Sequence, residues 1–362
     1  MPRKIKKIEL FGRNLLSRIL SMLFSQRQTF HRVPADEKIE RILLLRQDKI
    51  GDMVVSLPAI RAVKKFFPDA KIALLVSRRN APVIEYEERV EKIFYEKAPH
   101  KFFASLIKAR KFHPDVIIDL QMKPSTTSLL YVLFSGARWK VGARRSEKSP
   151  FNVQVPANES LHIVDGTAKI VSGLCGDVDL SQICGEVKIS EAELAFAQKF
   201  WSRSRIDPKK CVGVNISAGS PTRFFQKEKF IEICRFIKGK NYIPLLFYAP
   251  QDLSAAKTIK VSAGGTEMIP QTPTILHAAA ILKTIKILLS PDTSLIHIAE
   301  SFNIPVIGLY PKGEENRVRW GPRKPESIIL QSNRTNSLDG IDVADVKKAV
   351  EKMLKNIETS RQ

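Results

Sequence analysis

The sequence predicts an α/β protein with two doubly wound, Rossmann-like parallel-sheet domains. Apolar runs of strand length alternate with helical patterns, and this alternation starts a second time in the second half of the chain. Such an order is typical of βαβ units and a parallel sheet. The chain has 362 residues, and single cores usually split beyond about 250 residues. Two domains of this class would bind a ligand in the cleft between them, outside the carboxyl ends of their strands.

The first half reads as strand, helix, strand, helix, strand, a turn-rich stretch and two further helices. Its segments are RILLLRQ (41–47), VVSLPAIRAVKKFF (54–67), AKIALLVS (70–77), FFASLIKARKF (102–112), DVIIDLQ (115–121), PFNVQVPANES (150–160), HIVDGTAKIVSGLC (162–175) and SEAELAFAQKFWSRSR (190–205). Periodicity of two or of three to four residues separates strands from helices here.

The second half repeats the alternation and ends in an amphipathic helix. Its segments are KKCVGVNISAG (209–219), QKEKFIEICRFIKGK (226–240), YIPLLFYAP (242–250), LHAAAILKT (276–284), IKILLSPD (285–292), TSLIHIAESFN (293–303), IPVIGLY (304–310) and DVADVKKAVEKMLKNI (342–357). We therefore predict a basic arm over 1–40, a first domain over 41–205, a second domain over 206–345 and a closing helix over 346–362.

The charge balance predicts an anionic partner. The formal net charge is +22 and the pI is about 9.9, which favours nucleic acid, an anionic membrane or a phosphorylated substrate as partner. No nucleic-acid-binding motif is evident, so nucleic acid is not expected. The four cysteines form no CxxC pair and are interpreted as reduced thiols, which predicts a cytoplasmic protein.

The N-terminal arm has the pattern of a basic amphipathic helix. In KIKKIELFGRNLLSRILSMLFSQR, apolar residues recur at steps of three and four among lysines and arginines. This pattern is typical of a helix that lies in an anionic membrane interface. A helix packed on the protein's own body would have the same periodicity, so both interpretations stay open.

Two loops of the second half are suited to binding an anion. Asp292 and Thr293 follow a strand, and either could cap the helix that Thr293 and Ser294 open, with His297 one turn further on. Helix N-terminal amides favour a phosphate group. These lie in the stretch LLSPDTSLIHIAESFNIPVIGLYP.

A second loop repeats this layout. Ser217 and Gly219 follow another strand in small-residue sequence, and Arg223 comes shortly after. Small residues let the backbone approach a ligand closely, and an arginine can bind a phosphate through two nitrogens. Two such loops indicate a diphosphate, although a helix cap with a buried histidine would account for any one of these residues.

Common nucleotide motifs are missing from the sequence. The first strand is followed by RQDKIGDM, which lacks GxGxxG, and no Walker sequence occurs. The triplet at Asp177 and Asp179 matches a DxD metal motif but lies in a predicted turn, so we expect no metal site.

Four segments together resemble glycosyltransferase family 9, the ADP-heptose:lipopolysaccharide heptosyltransferases. They are RQDKIGDMVVSLPAIRAVKKFFP, PDVIIDLQMKPSTTSLLYVLFSGARWKVGARR, NISAGSPTRFFQKEKF and SPDTSLIHIAESFNIPVIGLYP, and they occur in the family's order. The resemblance extends from about Ile42 to Tyr310.

The resemblance implies a GT-B fold, with the acceptor on the N-terminal domain and the nucleotide-sugar on the C-terminal one. It implies inversion at the sugar's anomeric carbon with no obligatory metal or other cofactor, and Asp52 as the general base. The donor would be ADP-heptose, and the acceptor the lipopolysaccharide core at the inner face of the cytoplasmic membrane. The implied donor contacts are Gly51, Ser217, Gly219, Arg223, Asp292, Thr293, Ser294 and His297, and the candidate acceptor contacts are Lys49, Arg144 and Arg145.

Three departures from the family pattern keep alternatives open. Arg223 stands where the family usually has lysine, Ser294 where it has glycine, and Phe225 with Gln226 where it has Trp-Pro. A different nucleotide-sugar or acceptor on the same fold is therefore one alternative. A non-catalytic anion-binding protein is another, and for Asp52 a helix cap is the alternative role.

Overall fold

The computed structural model describes residues 15, 19–20, 22–26, 28–123, 125–144, 149–156 and 160–359. The chain divides into two compact units, Met1–Gly185 and Glu186–Gln362. No helix among the described residues is both long and apolar enough to span a bilayer.

The N-terminal unit contains a six-stranded parallel sheet. Its strand order is β3-β2-β1-β4-β5-β6, so the direction of winding reverses between β1 and β4. This reversal point is where open α/β sheets bind their ligands. The strands are β1 Arg41–Leu45, β2 Lys71–Ser77, β3 Val90–Tyr95, β4 Val116–Asp119, β5 Trp139–Ala143 and β6 Val153–Val155.

Within the described part of this unit, four α-helices accompany the sheet: α1 Ile50–Phe66, α2 Pro99–Lys111, α3 Thr126–Phe134 and α4 Ile163–Cys175. Strand β1 is buried along Ile42–Leu45, which explains its uninterrupted apolar sequence, since a strand covered on both faces does not alternate. Helix α1 begins four residues before the predicted start at residue 54, so the first turn includes Gly51 and Asp52.

The C-terminal unit repeats this architecture. Its strand order is β12-β11-β10-β7-β8-β9, and the winding reverses between β10 and β7. All the pairs of both sheets are parallel. The strands are β7 Cys211–Asn215, β8 Ile243–Phe247, β9 Glu267–Met268, β10 Ile287–Pro291, β11 Val306–Lys312 and β12 Ile328–Thr335.

Seven α-helices belong to the C-terminal unit. Helix α11, predicted over 346–362, begins at Val343 and buries Val346, Val350 and Met353 in the unit's core, where α6 also packs. These helices are α5 Glu191–Ser204, α6 Lys227–Gly239, α7 Leu253–Ala263, α8 Ile275–Leu282, α9 Ser294–Ser301, α10 Glu314–Trp320 and α11 Val343–Thr359.

The boundary of the two units differs from the sequence prediction. The units divide after Gly185, whereas the sequence placed the division at residue 205, after helix α5. The ring of Phe196 on α5 packs edge-on at 4.9 Å against His277 of α8, and Lys283 pairs with Glu186 at 2.7 Å. Helical periodicity shows that α5 has an apolar face but does not show which core that face covers.

One element was assigned wrongly. The stretch 150–160 was expected to be turn-rich, but Val153–Val155 form the edge strand β6 and are buried. Phe30 pairs with Val153 in a parallel bridge, and its ring packs edge-on against Trp139 at 5.3 Å. A three-residue strand is too short to show a period, and its pairing with β5 and Phe30 is not a local sequence signal.

Much of the N-terminal arm, including residues 1–14, lies outside the described residues. Among its described apolar side chains Leu15, Ile19, Met22, Leu23 and Phe24 are exposed, whereas Leu20 is half-buried and Val33 is buried. From Gln26 onward the chain is tied to the N-terminal unit, since the Gln26 amide donates to the Ser149 carbonyl at 3.0 Å.

Candidate functional site

A buried arginine organises the end of β1 at the N-terminal switch point. Arg46 is 1% exposed; its Nε donates to the Asp52 carbonyl at 2.9 Å and its Nη1 to the Leu120 carbonyl at 3.1 Å. Its Nη1 lies 3.7 Å from Asp48 Oδ2, and its Nη2 lies 3.8 Å from Asp52 Oδ1. One guanidinium therefore stands between two carboxylates.

Asp52 lies in the first turn of α1, where a carboxylate is favourable. Its Oδ2 accepts a hydrogen bond from the backbone amide of Lys49 at 3.1 Å, and the helix N-terminus favours a negative charge. The capping role weighed from the sequence is therefore realised. This cap occupies only Oδ2 of the carboxylate. Among the described residues, Oδ1 makes only the 3.8 Å contact with Arg46.

Asp48 is a carboxylate that the sequence analysis did not single out. Its Oδ1 accepts a hydrogen bond from Gln121 Nε2 at 2.8 Å, across the switch point from β4. Burial raises the pKa of Asp48 to about 6, with Arg46 opposing the shift and Asp52 and Asp119 adding to it. Asp119 closes the group from the end of β4, where its Oδ1 accepts from the Gln121 amide at 3.1 Å.

The three predicted acceptor contacts differ in placement. Lys49 is exposed beside Asp52, and Arg144 is exposed at the end of β5, where its backbone amide donates to the Val155 carbonyl at 2.7 Å. Arg145 lies outside the described residues. Gly51, which the resemblance placed among the donor contacts, is buried in the first turn of α1.

Arg223 and Asp292 form an ion pair at the C-terminal switch point. Arg223 Nη2 lies 3.0 Å from Asp292 Oδ2, and Nη1 donates to the Asp292 carbonyl at 3.0 Å. The Asp292 side chain is 5% exposed and that of Arg223 is 26% exposed. The two loops predicted to bind an anion are thus joined directly, with the arginine as the more accessible partner.

Polar side chains tie β7 to the start of α9. Asn215 Nδ2 donates to Ser290 Oγ at 2.9 Å and to Thr293 Oγ1 at 3.0 Å. Thr293 is the residue before the first turn of α9, but its side chain makes no capping hydrogen bond. Ser294 opens the helix as predicted.

In the loop after β7, the hydroxyl group of Ser217 is hydrogen-bonded within the protein, whereas Gly219 has free space beside it. Ser217 Oγ donates to Asp252 Oδ2 at 2.5 Å and accepts from the Ala249 amide at 2.7 Å. Gly219 is exposed, and a Cβ atom built on it would meet no described atom within 4 Å. Ser217 therefore fixes the loop, whereas Gly219 leaves space beside it.

His297 has a packed environment. It is 6% exposed, its Nδ1 has no hydrogen-bond partner among the described residues, and it lies 3.8 Å from Glu300 Oε2. Its ring lies 5.9 Å from that of Trp320. Neighbouring Tyr310 donates to the Trp320 carbonyl at 3.1 Å, and burial raises its pKa well above the usual range.

The remaining candidates occupy ordinary structural positions. Asp179 Oδ1 accepts from the Ser181 amide at 2.9 Å and caps a short turn. Within the described ranges, no group of three or more His, Cys, Asp and Glu side chains could hold a metal ion. The four cysteines are free thiols.

Five polar residues of these sites were not predicted from the sequence. They are Arg46, Asp48 and Gln121 on the N-terminal unit and Asn215 and Asp252 on the C-terminal unit. All five are polar residues at or just after a strand end. That position was the available signal, because ligands of doubly wound sheets bind there. Burial of Arg46 could not be read from the sequence, since arginine is usually exposed.

The two doubly wound parallel sheets, each with polar side chains at its switch point, place the chain in the GT-B fold class. The family model described as glycosyltransferase family 9 (heptosyltransferase) matches residues 103–347, more than half of the chain. The chain therefore belongs to this family, and the fold and enzyme class predicted from the sequence are confirmed.

Curated relatives of the chain are lipopolysaccharide heptosyltransferases. The chain is 24% identical over 344 residues to lipopolysaccharide heptosyltransferase 3 of Escherichia coli, covering 84% of this chain and 96% of the relative. It is 22% identical over 299 residues to the lipopolysaccharide core heptosyltransferase OpsX of Haemophilus influenzae, covering 79% and 82%.

Solved structures share the fold. A family 9 glycosyl transferase from Veillonella parvula matches with a TM-score of 0.77 and 21% identity, covering 89% of this chain and 100% of that one. The E. coli ADP-heptose lipopolysaccharide heptosyltransferase II matches with a TM-score of 0.69 and 17% identity, covering 88% and 99%.

Proposed function

We propose that this protein is an inverting heptosyltransferase that moves a heptose from ADP-heptose to the inner core of lipopolysaccharide. The names of its relatives support the sugar and the acceptor, and the family supports the reaction class. The observation that carries the mechanism is the placement of Asp52, a carboxylate with one open oxygen at the N-terminal switch point.

In this proposal Asp52 is the general base. The acceptor hydroxyl attacks the anomeric carbon of the heptose while its proton passes to the Asp52 carboxylate. The bond from the anomeric carbon to the β-phosphate oxygen breaks, and its electron pair leaves with ADP. A positioned carboxylate of this kind typically accelerates the reaction by about 10²- to 10⁴-fold.

The donor contacts belong to the C-terminal unit in this proposal. Arg223 would bind the diphosphate and stabilise the charge that develops on the leaving ADP. Its pairing with Asp292 holds the guanidinium near the N-terminus of α9, where the amides that follow Thr293 favour an anion. Ser294 would add a hydroxyl donor where the family usually has glycine. We assign His297 no direct contact with the donor in this proposal, because its described contacts are Glu300 and Trp320.

The test begins with calorimetric titration of the protein with ADP, UDP, GDP and NAD. Selective binding of ADP is expected. Transfer is then measured by mass spectrometry with ADP-heptose and lipopolysaccharide truncated before the first, second or third heptose. Preference for UDP or GDP would keep the enzyme class and overturn the donor, and binding of none of the four would contradict the donor assignment altogether.

Metal independence is part of the same proposal. Turnover should be unchanged by EDTA and by added Mg²⁺ or Mn²⁺, because Arg223 and the helix N-terminus supply the positive charge that a metal would otherwise provide. Loss of turnover in EDTA that Mg²⁺ restores would contradict it.

We further propose that the protein works in the cytoplasm, bound peripherally to the inner face of the cytoplasmic membrane. The exposed apolar side chains of the N-terminal arm and the net charge of +22 support this. Each basic residue near an anionic surface adds about 1 kcal/mol of attraction.

The membrane proposal is tested by co-sedimentation with phosphatidylglycerol vesicles. Replacing Leu23 and Phe24 by serine should lower vesicle binding about tenfold, because each loses the gain from burying an apolar side chain. Val261→Ser is the matched control, since Val261 is 82% exposed on α7 of the other unit. Equal binding of all three proteins would contradict the arm's role. Deletion of the whole arm is less suitable because Phe30 pairs with β6.

A further inference from the structure

Asp48 is the more accessible of two carboxylates beside Arg46. Its side chain is 32% exposed, against 15% for Asp52 and 2% for Arg46. Gln121 Nε2 occupies Oδ1 at 2.8 Å. Oδ2 lies 3.7 Å from Arg46 Nη1, which is beyond hydrogen-bond distance. Among the described residues, Oδ2 thus retains the capacity to accept a hydrogen bond.

The arrangement around Arg46 places the two carboxylates side by side. Its Nη1 faces Asp48 and its Nη2 faces Asp52, and these nitrogens belong to one rigid planar group. Arg46 Nη2 is buried without a hydrogen-bond partner among the described residues. Buried N–H groups are nearly always paired, so this strand end has a hydrogen-bonding capacity that the described residues leave unfilled; Nη2 itself is buried and faces the Asp52 carboxylate.

We propose that Asp48 is a second acceptor-binding carboxylate, whose Oδ2 accepts a hydrogen bond from a hydroxyl group next to the one that Asp52 deprotonates. The substrate class is a sugar acceptor with neighbouring hydroxyl groups, and the inference rests on the proposed function. Asp48 takes no proton from the acceptor in this step. It fixes the acceptor so that the reacting hydroxyl meets Asp52.

A purely structural role for Asp48 makes a different prediction. If its only task were to hold Gln121, an asparagine would serve, since its amide oxygen can accept the bond from Gln121 Nε2. Asparagine has a single acceptor oxygen, however. With that oxygen bound to Gln121, the group that faces the acceptor would be an amide donor, which cannot accept a hydrogen bond from a hydroxyl.

The charge state of Asp48 also supports a role in binding. The charged groups that face it are Arg46, Lys49 and Asp52 after β1 and Asp119 on β4; its uncharged contacts are Gln121 and the Ser77 hydroxyl, which donates to its carbonyl. With a pKa of about 6, the carboxylate form predominates only above that pH. Groups with raised pKa values in a strand-end site are candidates for function.

The first measurement needs no donor. Calorimetry gives the Kd of deacylated lipopolysaccharide, truncated before the first, second or third heptose, for the wild-type protein and for Asp48→Asn. We expect the Kd of the best acceptor to rise about tenfold or more in the variant, since hydrogen bonds to a charged group are the strong ones. ADP affinity should stay within twofold.

Asp115→Asn is the matched control for Asp48→Asn. Asp115 Oδ2 accepts from the amides of Glu40 and Arg41, both at 2.8 Å, at the opposite end of β1. Acceptor affinity should be unchanged in this control. Gln121→Met should raise the acceptor Kd by about threefold, because Asp48 then loses the bond that orients it.

Turnover and its pH dependence give a second measurement. Asp48→Asn should raise the acceptor KM about tenfold with kcat within about threefold, whereas Asp52→Asn should lower kcat. In the wild type, kcat/KM for the acceptor should fall below about pH 6, and Asp48→Asn should remove that limb, since kcat/KM reports ionisation in the free enzyme.

The outcomes separate this inference from the proposed function. An unchanged acceptor Kd and an unchanged pH profile in Asp48→Asn would overturn it, even if the wild type transfers heptose. Tight acceptor binding that Asp48→Asn weakens, without any transfer from ADP-heptose, would support it while contradicting the proposed donor. Failure of the wild type to bind any of the three acceptors would overturn both.

Discussion

The two units have the same topology at their switch points but a different balance of charge there. After β1 and β4, one buried guanidinium, that of Arg46, is grouped with the carboxylates of Asp48, Asp52 and Asp119. After β7 and β10, Arg223 is the more accessible member of an ion pair with Asp292, close to the N-terminus of α9.

The difference in charged groups supports different chemical roles for the two switch points, which the shared fold alone would not predict. A surplus of carboxylates repels phosphate but accepts hydrogen bonds and protons from hydroxyl groups. Helix N-terminal amides beside a neutralised ion pair favour an anion. Under the proposed function, a few side chains at equivalent strand ends would specialise the two Rossmann-like units, in accord with the general rule that function belongs to the site and not to the fold.

The largest effect should follow from changing the base. Asp52→Asn is expected to lower kcat by about 10²- to 10⁴-fold, because the amide cannot take the proton of the acceptor hydroxyl. The measurement is single-turnover transfer with saturating ADP-heptose and acceptor. The ADP Kd should stay within twofold, since Asp52 belongs to the acidic switch point.

Structural loss is the competing explanation for Asp52→Asn. The amide oxygen can still accept from the Lys49 backbone amide, so the first turn of α1 should persist and the melting temperature should change little. An ADP Kd that weakens in parallel with kcat would contradict the division of labour between the two switch points.

The second largest effect tests the other switch point. Arg223→Ala should weaken ADP binding by about 10- to 100-fold, as expected for losing charged hydrogen bonds to phosphate. Acceptor affinity should be unchanged. Calorimetric titration with ADP is the measurement.

The pairing with Asp292 requires a control, because Arg223→Ala removes the ion-pair partner of a buried carboxylate, which by itself is destabilising. The same substitution is therefore repeated in an Asp292→Asn background. Loss of ADP affinity in both backgrounds supports a direct phosphate contact. Recovery of affinity in the double variant would mean that Arg223 acts only by neutralising Asp292.

Local patterns predicted most of the fold. The run RILLLRQ predicted β1, and TSLIHIAESFN predicted α9 with its start at Ser294. These elements are long or apolar enough to show their period. Strand β3 was missed because two of the six residues in its sequence VEKIFY are charged and they interrupt the apolar run, and β9 because it has two residues. Their stability comes from pairing with β2 and β8, which no local pattern reveals.

The candidate sites were predictable in position but not in pairing. Arg223 and Asp292 were both predicted as site residues from their positions after strands, and the structure brings them into contact. That they bind each other depends on β7 and β10 being neighbours in the sheet, although about seventy residues separate them. Asp48 was not predicted as a site residue. The hydrogen bond between Asp48 and Gln121 joins the ends of β1 and β4, which are distant in sequence.

A smaller effect should appear in stability. Because the fold raises the pKa of Asp48 from 3.8 to about 6, the native state binds a proton more tightly than the unfolded chain between about pH 4 and pH 6. The free energy of unfolding therefore falls as pH rises through this window. Two pKa units correspond to about 3 kcal/mol, and the partial exposure of the side chain reduces this to about 1 kcal/mol.

Asp48→Asn should accordingly stabilise the protein at pH 8 by about 1 kcal/mol and have little effect at about pH 3.5, below the window. Urea unfolding at both pH values measures this. Asp115→Asn serves as the comparison and should not stabilise at pH 8, because its carboxylate accepts two backbone amides. Destabilisation of Asp48→Asn at pH 8 would show that Asp48 is held for structure.

The smallest effect concerns the open space beside Gly219. Gly219→Ala meets no described atom within 4 Å, so the free energy of unfolding should stay the same or rise by about 0.4–1 kcal/mol, as alanine restricts the unfolded chain. If the loop closes on a diphosphate, the new methyl group should weaken ADP binding about fivefold, because close backbone approach needs glycine. Gly239→Ala, at the end of α6, is the matched control, since a Cβ there also meets nothing within 4 Å. Equal ADP affinity in both variants would leave Arg223 and the start of α9 as the anion site, without the loop after β7.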